Sequence, residues 1–154
     1  MKTKHRNQAH AKRIYRADPT AIFRVFGRVT GFTEAEQCQI NLPVRVAYES
    51  LLNGRGEESD FHTLAAAVNV ALVCSETIDQ LVEQSCMTGR DALMRVFERH
   101  QRLGSWGMDG PAIAEIEVVI GVYEQLTQLL TGGQLKDAMT ECIRRMNAGE
   151  YLGD

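Results

Sequence analysis

Leu64-Ala65-Ala66-Ala67-Val68-Asn69-Val70-Ala71-Leu72-Val73-Cys74 is the stretch on which the fold turns. Wound as a helix, it is apolar on nearly every side, with Asn69 the exception. A helix apolar all round is one surrounded by others. Ser59 opens it and Asp60 sits in the first turn. Phe61, Leu64, Ala65, Val68, Ala71, Leu72, Cys74, Ile78, Leu81 and Val82 extend an apolar face through about six turns. The expectation is one long central helix from Ser59 to about Val82, with a buried partner for Asn69.

Upstream, Thr33-Glu34-Ala35-Glu36 has the form of a capping box. Pro43 should interrupt the helix it starts, with Asn41 capping the next segment. Val44, Ala47, Tyr48, Leu51 and Leu52 then recur at helical spacing, and Asn53-Gly54-Arg55-Gly56 ends the run. Downstream, Met87-Thr88-Gly89 reads as a break, with Thr88 and Asp91 as the next cap. Ala92, Leu93, Val96, Phe97 and Leu103 define a helix to about Gly104. Ser105–Gly110 is a glycine-rich loop holding the only tryptophan, Trp106. Pro111 starts a helix with Ile113, Ile116, Ile120, Tyr123, Leu126 and Leu130 on one stripe. After Thr131-Gly132-Gly133, the last helix, about Gln134 to Asn147, uses Leu135, Ala138, Met139, Cys142, Ile143 and Met146.

Short connections favour antiparallel neighbours. The predicted fold is all-α, an antiparallel helical bundle of about five to six helices, its long central helix lying against the two C-terminal ones. Residues 18–154 form a single domain. Asp18-Pro19 begins its first short helix, made apolar by Ile22, Phe23, Val25 and Phe26 and bracketed by Gly27 and Gly31. Residues 1–17 are polar, lack apolar periodicity and read as a flexible basic arm.

Composition narrows the class. The 154 residues are 44% hydrophobic and 24% charged, ordinary globular usage. No run approaches the roughly 20 apolar residues that span a bilayer. The basic N-terminus has no following apolar run, so no secretory signal is read and a cytoplasmic location is expected. Cys38, Cys74, Cys86 and Cys142 form no Cys-x-x-Cys pair and are read as free thiols.

Charge is unevenly spread. Residues 1–28 hold eight basic side chains and one acid, whereas the rest holds nine basic and nineteen acidic groups. A cationic leader on an acidic body suits contact with an anionic macromolecule, through Lys2, Lys4, Arg6, Lys12, Arg13 and Arg16, with Tyr15 nearby. The arm could equally dock on the acidic body of a second copy, giving a homodimer. Trp106, with Met108, is a candidate interface anchor; closing one end of the core is the commoner role of a lone Trp.

Reactive chemistry lacks its patterns. His5, His10, His62 and His100 form no metal-ligand spacing, so neither metal nor cofactor is expected. Glu76, Asp79 and Glu83 are one turn apart and could hold magnesium in a nucleotide hydrolase, but the facing acidic set is missing; Glu115 and Glu117 point to different faces. No nucleophile elbow and no phosphate-binding loop occur. The chain is therefore read as non-enzymatic.

Lys12-Arg13-Ile14-Tyr15-Arg16, Leu42-Pro43-Val44-Arg45, the Asp60–Ala71 stretch, Gly104-Ser105-Trp106 and Ile143-Arg144-Arg145 resemble, in order and spacing, small uncharacterised helical accessory proteins of bacteriophages and integrating mobile elements. That resemblance implies a protein that acts by binding a host or phage protein–nucleic-acid assembly. An inhibitor of host defence, anti-CRISPR-like, is one concrete version. The runner-up is a dimeric DNA-binding transcriptional regulator, although no helix carries a clear cluster of base-reading side chains.

Overall fold

The computed structural model describes residues 31–150. The basic arm 1–17 and the expected short helix after Asp18 lie outside the described residues. Five helices follow one another: α1 (Glu34–Leu52), α2 (Glu58–Ser75), α3 (Gln80–Leu103), α4 (Gly110–Leu129) and α5 (Gly132–Asn147). They form a helical bundle. No strand occurs among the described residues, only the isolated bridges Gly31–Thr131 and Gly56–Trp106. None of the described helices is long and apolar enough to cross a membrane.

The all-round apolar stretch is α2, which packs against each of the other four helices. Leu64, Ala71 and Leu72 are fully buried, as are Leu51 of α1 and Ile116 and Val119 of α4. The helix is shorter than its pattern predicts. It stops at Ser75, whose hydroxyl donates to the Leu72 carbonyl (2.7 Å). Asp79 then starts α3, its carboxylate accepting from the Leu81 amide (2.7 Å). Ile78 and Leu81 continue the apolar spacing but are 53% and 73% exposed, so periodicity there reports no core.

Two expected breaks are absent for tertiary reasons. Gly89 lies inside α3 and is buried where α3 crosses α4; a Cβ there would stand 2.6 Å from Val119 Cγ1. The glycine permits close helix approach, at the usual propensity cost of about 1 kcal/mol. Pro43 lies inside α1, on its exposed side. Asn41 caps nothing: its amide donates to Thr127 Oγ1 of α4 (2.9 Å). Asn69 is half-buried on a groove wall rather than enclosed.

The capping box read at Thr33 and the stop read at Gly104 hold, whereas α2 starts from Glu57 rather than Ser59 and Thr88 lies inside α3. Glu36 accepts from the Thr33 amide (2.8 Å) while its own amide donates to Thr33 Oγ1 (3.3 Å). Gly104 ends α3 at φ 72°, the left-handed region that favours glycine. Thr131 forms a capping box with Gln134, so Gly132 and Gly133 open α5 rather than preceding it.

Candidate interaction surfaces

One end of the bundle is closed by aromatic rings. Trp106 stacks on His100 (centroids 3.8 Å apart, planes 5° apart) and on Phe61 (4.8 Å, 23°). Phe97 completes the group at 6.2 Å. The loop is held there by the bridge from Gly56 to Trp106. Trp106 and Met108 are both half-buried and packed on the core. Stacked rings at these separations contribute beyond their buried area, which suits an end-plate of the core.

The large apolar side chains that do face solvent lie elsewhere. On α5, Leu135, Ala138 and Cys142 are buried, while Met139, Ile143 and Met146 stand 50%, 58% and 64% exposed. Their spacing, i, i+4, i+7, puts them on one face beside the buried stripe. Of the three, Met146 lines a groove of about 400 Å³, together with Phe61, Ala65 and Val68 of α2 and Leu93 and Met94 of α3. Arg90, Asp91 and Glu150 mark its rim. The sequence had assigned Met139, Ile143 and Met146 to the core. The overlooked signal is stripe width: six apolar positions in α5 are more than a single neighbouring helix can cover, and α5 makes its main packing with α2 alone.

The charged groups of the body are used between helices. Arg45 of α1 donates to both carboxylate oxygens of Glu124 (2.5 and 2.7 Å) and to Glu117 (2.6 Å), both on α4. Those bonds hold the guanidinium firmly protonated and the Glu117 carboxyl below its usual range. Tyr48 beside them is pushed up to about 12, first by burial and then by Glu117. Arg95 of α3 pairs with Glu115 of α4. Arg145 of α5 joins Glu76 at the end of α2 (2.5 and 2.8 Å) with Glu141 (2.8 Å). Arg144 also binds Glu141, which the two guanidinium groups hold down at about 2.

This geometry gives two of the acids weighed as a magnesium site other duties. Glu76 is taken by Arg145 and Asp79 caps α3. Among the described residues no three His, Cys, Asp or Glu side chains come together as metal ligands. All four thiols are free. Burial pushes Cys74 and Cys142 up to about 11 and raises Cys86, whereas Cys38 is exposed. Thiols held this way are poor nucleophiles near neutral pH.

The predicted binding residues Lys2, Lys4, Arg6, Lys12, Arg13 and Arg16 fall outside the described residues. No family model, curated protein or solved structure matches this chain.

Proposed function

We propose that this chain is a non-enzymatic interaction protein, in the manner of the phage and mobile-element accessory proteins it resembles. Its leader meets the anionic part of a host or phage protein–nucleic-acid assembly, and inhibition of a host-defence complex is the concrete version. The observation that carries this reading is electrostatic. Residues 31–150 hold eighteen acidic and nine basic side chains, and Arg45, Arg95, Arg144 and Arg145 are engaged by carboxylates of neighbouring turns or helices. Such a body repels phosphate. The eight basic groups of residues 1–28 are where attraction to phosphate concentrates.

The test is fluorescence anisotropy with a labelled DNA duplex and an RNA of the same length, titrated at several salt concentrations. Six phosphate contacts predict a log–log salt slope of about −5. Replacing Lys2, Lys4, Arg6, Lys12, Arg13 and Arg16 together by alanine should abolish most of that slope. Equal affinity and equal slope in the variant would refute a phosphate-binding leader.

A further inference from the structure

Asn69 is the one polar residue between Leu64 and Cys74, and its half-buried carboxamide has no hydrogen-bond partner among the described residues. It shares a row of α2 with Phe61 and Ala65, each four residues from the next and so on one face. That row is one wall of the groove of about 400 Å³ between α2 and α3. Val68, Leu93, Met94 and Met146 supply the rest of the apolar lining. Met94 and Met146 are 50% and 64% exposed, and their unbranched side chains adapt to irregular shapes. A concave, mainly apolar site of this size with few polar groups has the character of a small-molecule site.

The charges at the rim decide what such a site takes. Asp91 is paired with Arg90 (2.9 Å) and Glu150 with Arg144 (3.2 Å), so the rim offers no charge that lacks its opposite. An anionic ligand would meet Asp91 and Glu150 beside cations already engaged, and a cationic one would leave water for carboxylates already neutralised. A neutral ligand meets neither cost. Of the polar side chains lining the groove, Asn69 alone has no partner among the described residues. A carboxamide satisfies it on both sides: the Asn69 amide donates to the ligand carbonyl, and the ligand amide donates to the Asn69 oxygen. Phe61 and Asn69 are eight residues apart, about 12 Å along the helix axis, which accommodates an extended acyl chain along the apolar wall. We infer that the α2–α3 groove binds a small neutral molecule made of an aliphatic chain and one carboxamide, with Asn69 as the group that recognises the amide. The site stands whether or not the basic leader binds nucleic acid.

Titration of the full chain with octanamide, sodium octanoate and octylammonium chloride at pH 7 tests it. Isothermal calorimetry reads the binding, as does the fluorescence of the single tryptophan, Trp106, which stacks on Phe61 of the groove wall (4.8 Å). Octanamide should bind at one saturable site, and the two charged analogues at least about tenfold more weakly. Shortening the chain to hexanamide should weaken binding about two- to fourfold per methylene removed. Asn69→Leu should lower the affinity for octanamide about tenfold while circular dichroism shows the helices retained. Asn69→Asp should reverse the order, so that octylammonium binds tightest, a gain that no folding failure can imitate. The inference is overturned if octanamide does not saturate a site, or if either charged analogue binds the unaltered chain as tightly. It is overturned equally if Asn69→Leu keeps full affinity for octanamide, or if Asn69→Asp keeps the original order of the three probes.

Discussion

Gly89→Ala is the substitution that separates packing from propensity in this fold. An alanine in a helix interior is favoured over glycine by about 1 kcal/mol, so a surface glycine in α3 would be improved by the change. Gly89 is buried, and its added Cβ would stand 2.6 Å from Val119 Cγ1 and 2.9 Å from Val119 Cβ. Ordinary carbon contacts sit at about 3.5–4 Å, so α3 and α4 must separate by roughly 1 Å locally. Val119 is fully buried and stiff at χ1, which leaves it little room to yield. Overpacking of that kind costs about 1–3 kcal/mol; less the propensity gain of about 1 kcal/mol, the net loss should be about 0–2 kcal/mol. Urea denaturation followed by circular dichroism measures it directly, and Tm should fall by up to about 8 °C for a chain this long. In a Val119→Ala background the clash is gone, and the same glycine replacement should raise stability. The two residues should therefore couple by about 2 kcal/mol. Gly89→Ala raising stability in the otherwise unchanged chain would refute the reasoning.

Three further outcomes follow from the same contacts. Glu141 ionises at about 2 in the folded chain against an ordinary 4.5. A lowered carboxylate adds stability above its unfolded pKa, and that addition is lost as pH falls from 4.5 toward 2; Glu141→Gln should show a shallower decline in denaturation midpoint over that window. With a thiol-specific chromogenic reagent at pH 8, Cys38 should react rapidly, and Cys74, Cys86 and Cys142 should wait on unfolding. Trp106→Ala removes the ring stacked between His100 and Phe61; the loss should be about 2–4 kcal/mol, below the range for fully buried tryptophan because the ring is only half-buried. A calorimetric melt checks it, and an unchanged Tm would remove the end-plate role.

The helical class was legible because it rests on local signals. The capping box at Thr33 and Glu36, the left-handed stop at Gly104 and the start before Pro111 depend on bonds within a few residues, and each sits where the sequence put it. Boundaries set by contacts far along the chain were not legible. Gly89 has the composition of a break and the surroundings of a crossing point, supplied by a valine thirty residues away. Asn41 has the composition of a cap and a partner at Thr127. The same limit governs the site. Spacing places Glu76, Asp79 and Glu83 a turn apart, but Arg145, distant in sequence, takes the first, and the chain turn at Asp79 uses the second as a cap.

α5 shows what such a limit means for function. An apolar periodicity states how wide a helix's greasy stripe is; only the topology states how many neighbours share it. Leu135, Ala138 and Cys142 meet α2 and are buried, whereas Met139, Ile143 and Met146 lie one step round the helix and remain exposed. Three large apolar side chains in a row, the last of them lining a groove with Phe61 and Val68, form a surface that water disfavours.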